Sequence, residues 1–186
     1  MRNAFPPNRR LALRWCCSAL LATLVLATLG CKRQQTVVQP AGKDAPPMAS
    51  TIHMGDPQTA PQLLGGFYGI EDNAWRWTAR RFSLTLRRPS GASYNGATLQ
   101  LRLTLPPVVI EKLKTIALSA TIGGSALPPE TYTRAGDYTY TREVAPALLA
   151  GESVRVDFQL DKSIPPSGAD LRDLGVVALS AGLELK

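Results

Sequence analysis

From residue 63 to the C-terminus, apolar and polar positions alternate with a period of two in one segment after another. Phe82, Leu84 and Leu86 alternate with Ser83 and Thr85, and Leu99, Leu101, Leu103 and Leu105 with Gln100, Arg102 and Thr104. Ile116, Leu118, Ala120 and Ile122 form a third row, Val154, Val156, Phe158 and Leu160 a fourth, and Leu179, Ala181, Leu183 and Leu185 a fifth. This pattern marks strands with one buried and one solvated face, as two packed antiparallel sheets require. Apolar residues three and four apart, the signature of a helix, recur in no long segment. Turn signals separate the rows: Arg88-Pro89-Ser90-Gly91, Asn95-Gly96, Gly123-Gly124, Ala135-Gly136-Asp137, Ala150-Gly151 and Pro165-Pro166-Ser167-Gly168. Asn95-Gly96 predicts a tight hairpin, because both residues tolerate positive φ. Pro107–Lys114 fits either a helical turn or, through Val108-Val109-Ile110, a strand. The expected fold is all-β, an antiparallel β-sandwich of jelly-roll or galactose-binding-like type.

Upstream the pattern changes twice. Residues 1–14 carry Arg2, Arg9, Arg10 and Arg14 and no acid, and residues 15–29 are almost wholly apolar, with Gly30-Cys31 following at once. A charged segment, an apolar segment and a small residue at the cut make an export signal. With Cys31 directly after the cut, it resembles a bacterial lipoprotein signal, in which that cysteine carries the lipid, palmitate included, and becomes the new N-terminus. Thr28-Leu29-Gly30-Cys31 is a variant of the usual cleavage motif, which has Leu three residues before the cysteine. The alternative of an uncleaved anchor asks for about 20 apolar residues to cross a bilayer. Residues 32–62 are rich in Gln, Pro, Ala, Lys, Thr and Ser, without an apolar period. Such a segment buries too little to offset its ordering entropy, so it reads as a disordered tether. The organisation expected is a signal over 1–30, a tether over 31–62 and a β-sandwich over 63–186.

Composition sharpens this. The four leader arginines make up more than half of the formal charge of +7, so cleavage leaves a mildly basic chain. Nucleic acid is therefore not an expected partner. Cys16 and Cys17 leave with the signal and Cys31 takes lipid, so the folded region has no cysteine for a disulfide or a thiolate metal site. His53 is the one histidine and falls in the expected tether, which argues against a Ser-His-Asp triad or a His-ligated metal in the domain. Glu71 and Asp170 are the one carboxylate pair worth considering for glycoside hydrolysis, but each has a plausible arginine partner that would lower its pKa. The expectation is no enzymatic activity, no metal and no cofactor.

Two segments interrupt the alternation. One is Gly66-Phe67-Tyr68-Gly69-Ile70-Glu71 with Trp75-Arg76-Trp77-Thr78; the other is Asp170-Leu171-Arg172-Asp173-Leu174-Gly175. Together they resemble the two ends of a β-sandwich module attached to bacterial glycosyltransferases and cell-surface polysaccharide proteins. In that family a Gly-aromatic and Glu opening leads to Arg-Trp-Thr, and the chain closes with Asp-x-Arg-x-Leu-Gly. The spacer Asp72-Asn73-Ala74 departs from it, since relatives often carry Gly or Pro there, and no catalytic domain accompanies the module.

Glu71, Arg76, Asp170 and Arg172 are candidates for a ligand site or for an ion network joining the first strands to the last. Trp75 and Trp77 share a strand face and are candidates for sugar stacking or for the core. Tyr138 and Tyr140 are candidates for stacking or for an ordinary hairpin. The function this suggests is a membrane-anchored lipoprotein with a non-catalytic, glycan-binding or envelope-polysaccharide accessory module. The alternative is an adaptor that holds a protein partner in an envelope complex. Its address would be the cell envelope, reached through the N-terminal lipid. Lys32 after the cysteine, by resemblance to enteric lipoproteins, points to the outer membrane rather than the inner in a Gram-negative cell.

Overall fold

The computed structural model describes residues 47–186; the expected signal, Cys31 and the tether up to residue 46 lie outside the described residues. Nine strands form one antiparallel sheet: β1 Thr51–His53, β2 Leu63–Glu71, β3 Trp75–Arg87, β4 Ala97–Leu105, β5 Ile116–Ile122, β6 Ser125–Tyr132, β7 Gly136–Val144, β8 Ser153–Leu160 and β9 Val177–Leu185. Their order is β6-β5-β8-β3-β9-β4-β7, with β1 also on β9 and β2 on β3. Two short helices, α1 Ala92–Asn95 and α2 Pro107–Leu113, bracket β4.

The 13-residue β3 makes this sheet a sandwich. Arg76 and Trp77 pair with β9, whereas Arg81 to Arg87 pair with β8. One strand thus belongs to both layers. The alternating rows meet between the layers: Leu84, Leu86, Leu99, Leu101, Leu118, Val156 and Leu160 are fully buried. Phe82 stacks on Phe158 with centroids 4.9 Å apart, and Tyr140 meets Phe158 edge-on at 6.4 Å. At the far side β6 and β7, the two ends of the strand order, are joined by side chains. Arg142 on β7 donates from Nε to Pro128 O at 2.6 Å, from Nη2 to Pro129 O at 2.9 Å and from Nη1 to Glu130 Oε2 at 3.0 Å. The β5–β6 register shifts across Pro128 and Pro129, which have no N–H for a strand ladder, and their carbonyls accept from the guanidinium.

The antiparallel sandwich is as the alternation predicts, but three local expectations change and one open alternative, the third below, is decided. First, the tether ends before residue 62. Ile52 and Met54 are fully buried, and β1 pairs with β9 from Thr51↔Gly182 to His53↔Ser180. Pro57 and Pro61 sit in a 3-10 turn over Pro57–Gln62, whose start tolerates proline. Gln62 clamps the incoming chain by accepting from Ala49 N at 2.8 Å and donating to Ala49 O and Thr85 O. His53 is therefore part of the folded domain.

Second, Asn95-Gly96 does not form a hairpin. Asn95 ends α1, and the positive φ of 83° at Gly96 stops the helix beside Val144 O. Third, Pro107–Leu113 is helical, with proline at its first turn. Fourth, Leu179 does not join the inward row of β9. Arg102 pairs with Ser180 and Leu103 with Ala178, so Leu179 is the extra residue of a β-bulge. Gly123-Gly124 does form the tight β5–β6 turn, with φ of 56° and 81°.

Candidate functional site

The two interrupting motifs do come together, and three of the four charged candidates meet. Arg172 Nη1 donates to Glu71 Oε1 at 2.7 Å, Nη2 to Asp170 Oδ2 at 2.9 Å and Nε to Asp170 Oδ1 at 3.0 Å. Its guanidinium lies 5.5 Å from the centre of the Tyr68 ring. Side-chain and then backbone donation from Arg172 holds the Asp170 carboxyl below its ordinary pKa. Arg76 is elsewhere, donating to Met54 O at 3.0 Å and Tyr68 O at 2.8 Å.

Around this triad the loop before β9 is sewn to the β2–β3 hairpin. The Tyr68 hydroxyl accepts from Asp173 N at 2.9 Å and lies 3.1 Å from Asp173 O, and Arg80 N donates to Asp173 Oδ2 at 3.1 Å. Thr78 is fully buried; its hydroxyl accepts from Val176 N at 3.1 Å and its carbonyl from Gly175 N at 2.7 Å. Gly175 has no room for a side chain, since a Cβ there would lie 2.5 Å from Leu160 Cδ1 and 2.7 Å from Thr78 Oγ1. Each of the three side chains has a partner within the triad, and the arrangement fastens the last strand to the first hairpin.

The aromatic candidates divide in the same way. Trp75 and Trp77 share a face, but their rings stand at 83° with centroids 6.4 Å apart, so they make no common flat platform. Trp77 is partly buried against the core. Tyr138 and Tyr140 are corrected as stacking candidates, because the face they share points inward. Tyr140 is fully buried and donates to Pro128 O at 2.9 Å, while Tyr138 packs against the core and lies 4.6 Å from Tyr132. Burial removes the Tyr140 ring from any sugar, while Tyr138 is only partly buried and lines a small hollow beside Arg102.

An open groove of about 380 Å³ lies instead on the outer face of β2, β3, β8 and β5. The register puts Gly65, Ser83, Asp157 and Thr121 in one transverse row, with Arg81 and Gln159 paired in a second. A side chain at Gly65 would meet nothing within 4 Å, so glycine leaves that margin of the groove open. Arg155 donates to Asp157 Oδ1 from Nη2 at 2.7 Å and spans the groove's polar floor. Among the described residues the side chains of Arg81, Ser83, Thr121 and Gln159 have no hydrogen-bond partner at all. These are the outward members of the alternating rows. Their only signal in the sequence is an Arg-x-Asp-x-Gln series at 155, 157 and 159, which resembles any solvated strand face.

Among the described residues no group of three or more His, Cys, Asp or Glu is placed to hold a metal, and no helix is long and apolar enough to cross a membrane. No family model matches the chain, and no curated protein matches it. Among solved structures it is similar to the CBM36-1 domain of a multidomain xylanase from the hindgut metagenome of Trinervitermes trinervoides. That match has 13% identity and a TM-score of 0.36, and covers 65% of this chain and 89% of that one. It is also similar to a chain carrying the M60 catalytic domain with the CBM51-1 and CBM51-2 domains of Clostridium perfringens ZmpB. There the identity is 9% and the TM-score 0.33, with 67% of this chain and 12% of that one covered. A structure described as "CBM4 structure and function" aligns at 13% identity and a TM-score of 0.32, covering 73% and 85% of the two chains.

Proposed function

We propose that this chain is a non-catalytic, lipid-anchored module of a bacterial cell envelope that holds a glycan in the groove on β2, β3, β8 and β5. The observation that carries the reading is the set of unpaired donors and acceptors around that groove. Arg81, Ser83, Thr121 and Gln159 face open space with their polar atoms unused, and the volume of about 380 Å³ lies in the range of small-ligand sites. Sugar hydroxyls need many modest, directional partners, which a row of Ser, Thr, Gln and Arg supplies. The Asp157 carboxylate, steadied by Arg155, adds a fixed acceptor. Resemblance to modules of cell-surface polysaccharide proteins and the lipoprotein-like leader support the same assignment. Lys32 after the cysteine, by resemblance to enteric lipoproteins, supports an outer-membrane address.

The test is a glycan array on the full chain, followed by calorimetric titration with the best neutral oligosaccharide. Saturable binding is expected, weakened about tenfold by Arg81→Ala or Gln159→Ala, since each removes a ligand hydrogen bond worth roughly 1–1.5 kcal/mol. A chain that binds no saccharide but captures one stoichiometric protein partner would overturn the glycan reading in favour of the adaptor.

A further inference from the structure

The β-bulge in β9 creates a second site on the opposite layer. Bulges re-aim side chains, and here both Leu179 and Ser180 face outward, while Ala178 and Ala181 remain in the core. Register places His53, Ser180, Arg102 and Thr139 in one transverse row over β1, β9, β4 and β7. Leu179 and Arg102 border a cleft of about 380 Å³ on one side and a smaller hollow of about 160 Å³ on the other. The far wall of the larger cleft is the β2–β3 turn. Asp72 and Asn73 both have left-handed φ, 51° and 52°, and the turn rests on Gly55, where a Cβ would lie 2.7 Å from Ala74 Cα. The wall is thus set by close backbone packing.

The chemistry of the cleft is asymmetric. Among the described residues the Arg102 guanidinium makes no hydrogen bond and no ion pair, unlike Arg142, Arg155 and Arg172. Ser180 is only 7% exposed, yet among the described residues its hydroxyl has no hydrogen-bond partner. The side chains of His53 and Asn73 line the same cleft and, among the described residues, are also unbonded. Leu179 adds an apolar patch between these donors. Asp56, whose carboxylate caps the 3-10 turn by accepting from Gln58 N at 2.8 Å, brings one negative charge to the rim. A planar guanidinium free to bond in two places suits a carboxylate. The apolar patch suits the face of a sugar ring and the hydroxyl, imidazole and amide suit its hydroxyls. Asp56 disfavours a doubly charged phosphate.

We propose that this cleft binds a uronic acid residue of an acidic polysaccharide, with Arg102 gripping the carboxylate. The site lies on the layer opposite the groove described above and does not depend on it. The test is calorimetric titration of the full chain with tri-galacturonate and with the neutral galactose trimer. Saturable binding of the acidic trimer is expected, and it alone should depend on Arg102. Arg102→Gln should weaken it at least about tenfold, the usual cost of a lost charge-assisted pair, and Arg102→Lys should weaken it less, by keeping the charge without the fork. Thr98→Val, farther along β4, should leave it unchanged, and the melting temperature of Arg102→Gln should match that of the parent because the side chain is exposed. Equal weakening of neutral-trimer binding by Arg102→Gln, no binding of the acidic trimer, or an Arg102→Gln variant that binds the acidic trimer as the parent does would each overturn the proposal. Since Arg102 takes no part in the groove around Arg81, failure of either site leaves the other readable.

Discussion

At the scale of single residues, the motif that stands out most in the sequence is occupied with holding the fold together. Gly175 shows why the second motif has glycine where it does: Leu160, the Thr78 hydroxyl and Ala79 O close around its α-carbon. Gly175→Ala is expected to lose about 1–3 kcal/mol by overpacking, read as a lowered denaturation midpoint with an unchanged slope. Tyr132 behaves in the opposite way. Its hydroxyl is buried without a hydrogen-bond partner among the described residues, and burial, then the nearby Glu130, raises its pKa. Tyr132→Phe removes an atom that gave up water for nothing, so it should be neutral or stabilising by about 1 kcal/mol in urea unfolding.

At the scale of elements, the weak point of the sandwich is the seam between β6 and β7. These strands end the sheet order, and the two prolines of β6 block ordinary strand pairing there. Arg142 closes the gap with its donors on Pro128, Pro129 and Glu130 while its guanidinium lies 4.2 Å from the Tyr140 ring centre. Arg142→Ala is expected to cost about 2–4 kcal/mol, from the lost charge-assisted bonds and the cation–π contact together. Hydrogen exchange should show the loss first in β6, whose other neighbour is β5 alone. Uniform loss of protection across β3, β8 and β4 would instead mean that Arg142 supports the core as a whole.

At the scale of the whole molecule, the proposed anchor and the folded domain have separate tasks. The chain joins the sandwich at residues 49 and 50, where Ala49 O accepts from Arg87 N and Ser50 O accepts from Leu183 N. Cys31 lies 16 residues before residue 47, where the described part begins. A lipid on Cys31 would therefore keep the domain close to the bilayer. Cys31→Ser is expected to move the protein from the membrane fraction to the soluble one without changing glycan affinity. A variant that still pellets wholly with membranes would sink the lipid-anchor reading.

Much of the fold was legible because strand alternation is local: each row from Phe82 to Leu183 states which side of the strand is buried. The meeting of Glu71, Asp170 and Arg172 was legible as a possibility, because opposite charges and bidentate arginine geometry are residue properties. What those charges do was not, since only their mutual satisfaction in space separates a ligand site from a clasp. Tyr140, and Tyr138 in part, failed as surface candidates for a related reason. Period two tells that they share a face, and only packing tells that the face is the inner one.

The two open sites depend still more on tertiary structure. The groove is assembled from β2, β3, β8 and β5, and the cleft from β1, β4, β9 and a turn, so no contiguous segment carries either. The bulge at Leu179 is decided by the strands on either side of β9, against an unbroken alternation in the sequence. By itself the sequence determined the all-β class and the inward rows, because backbone geometry ties period to burial. Strand order, the early start of the domain at β1 and the free polar faces were decided by long-range pairing, which no local pattern encodes.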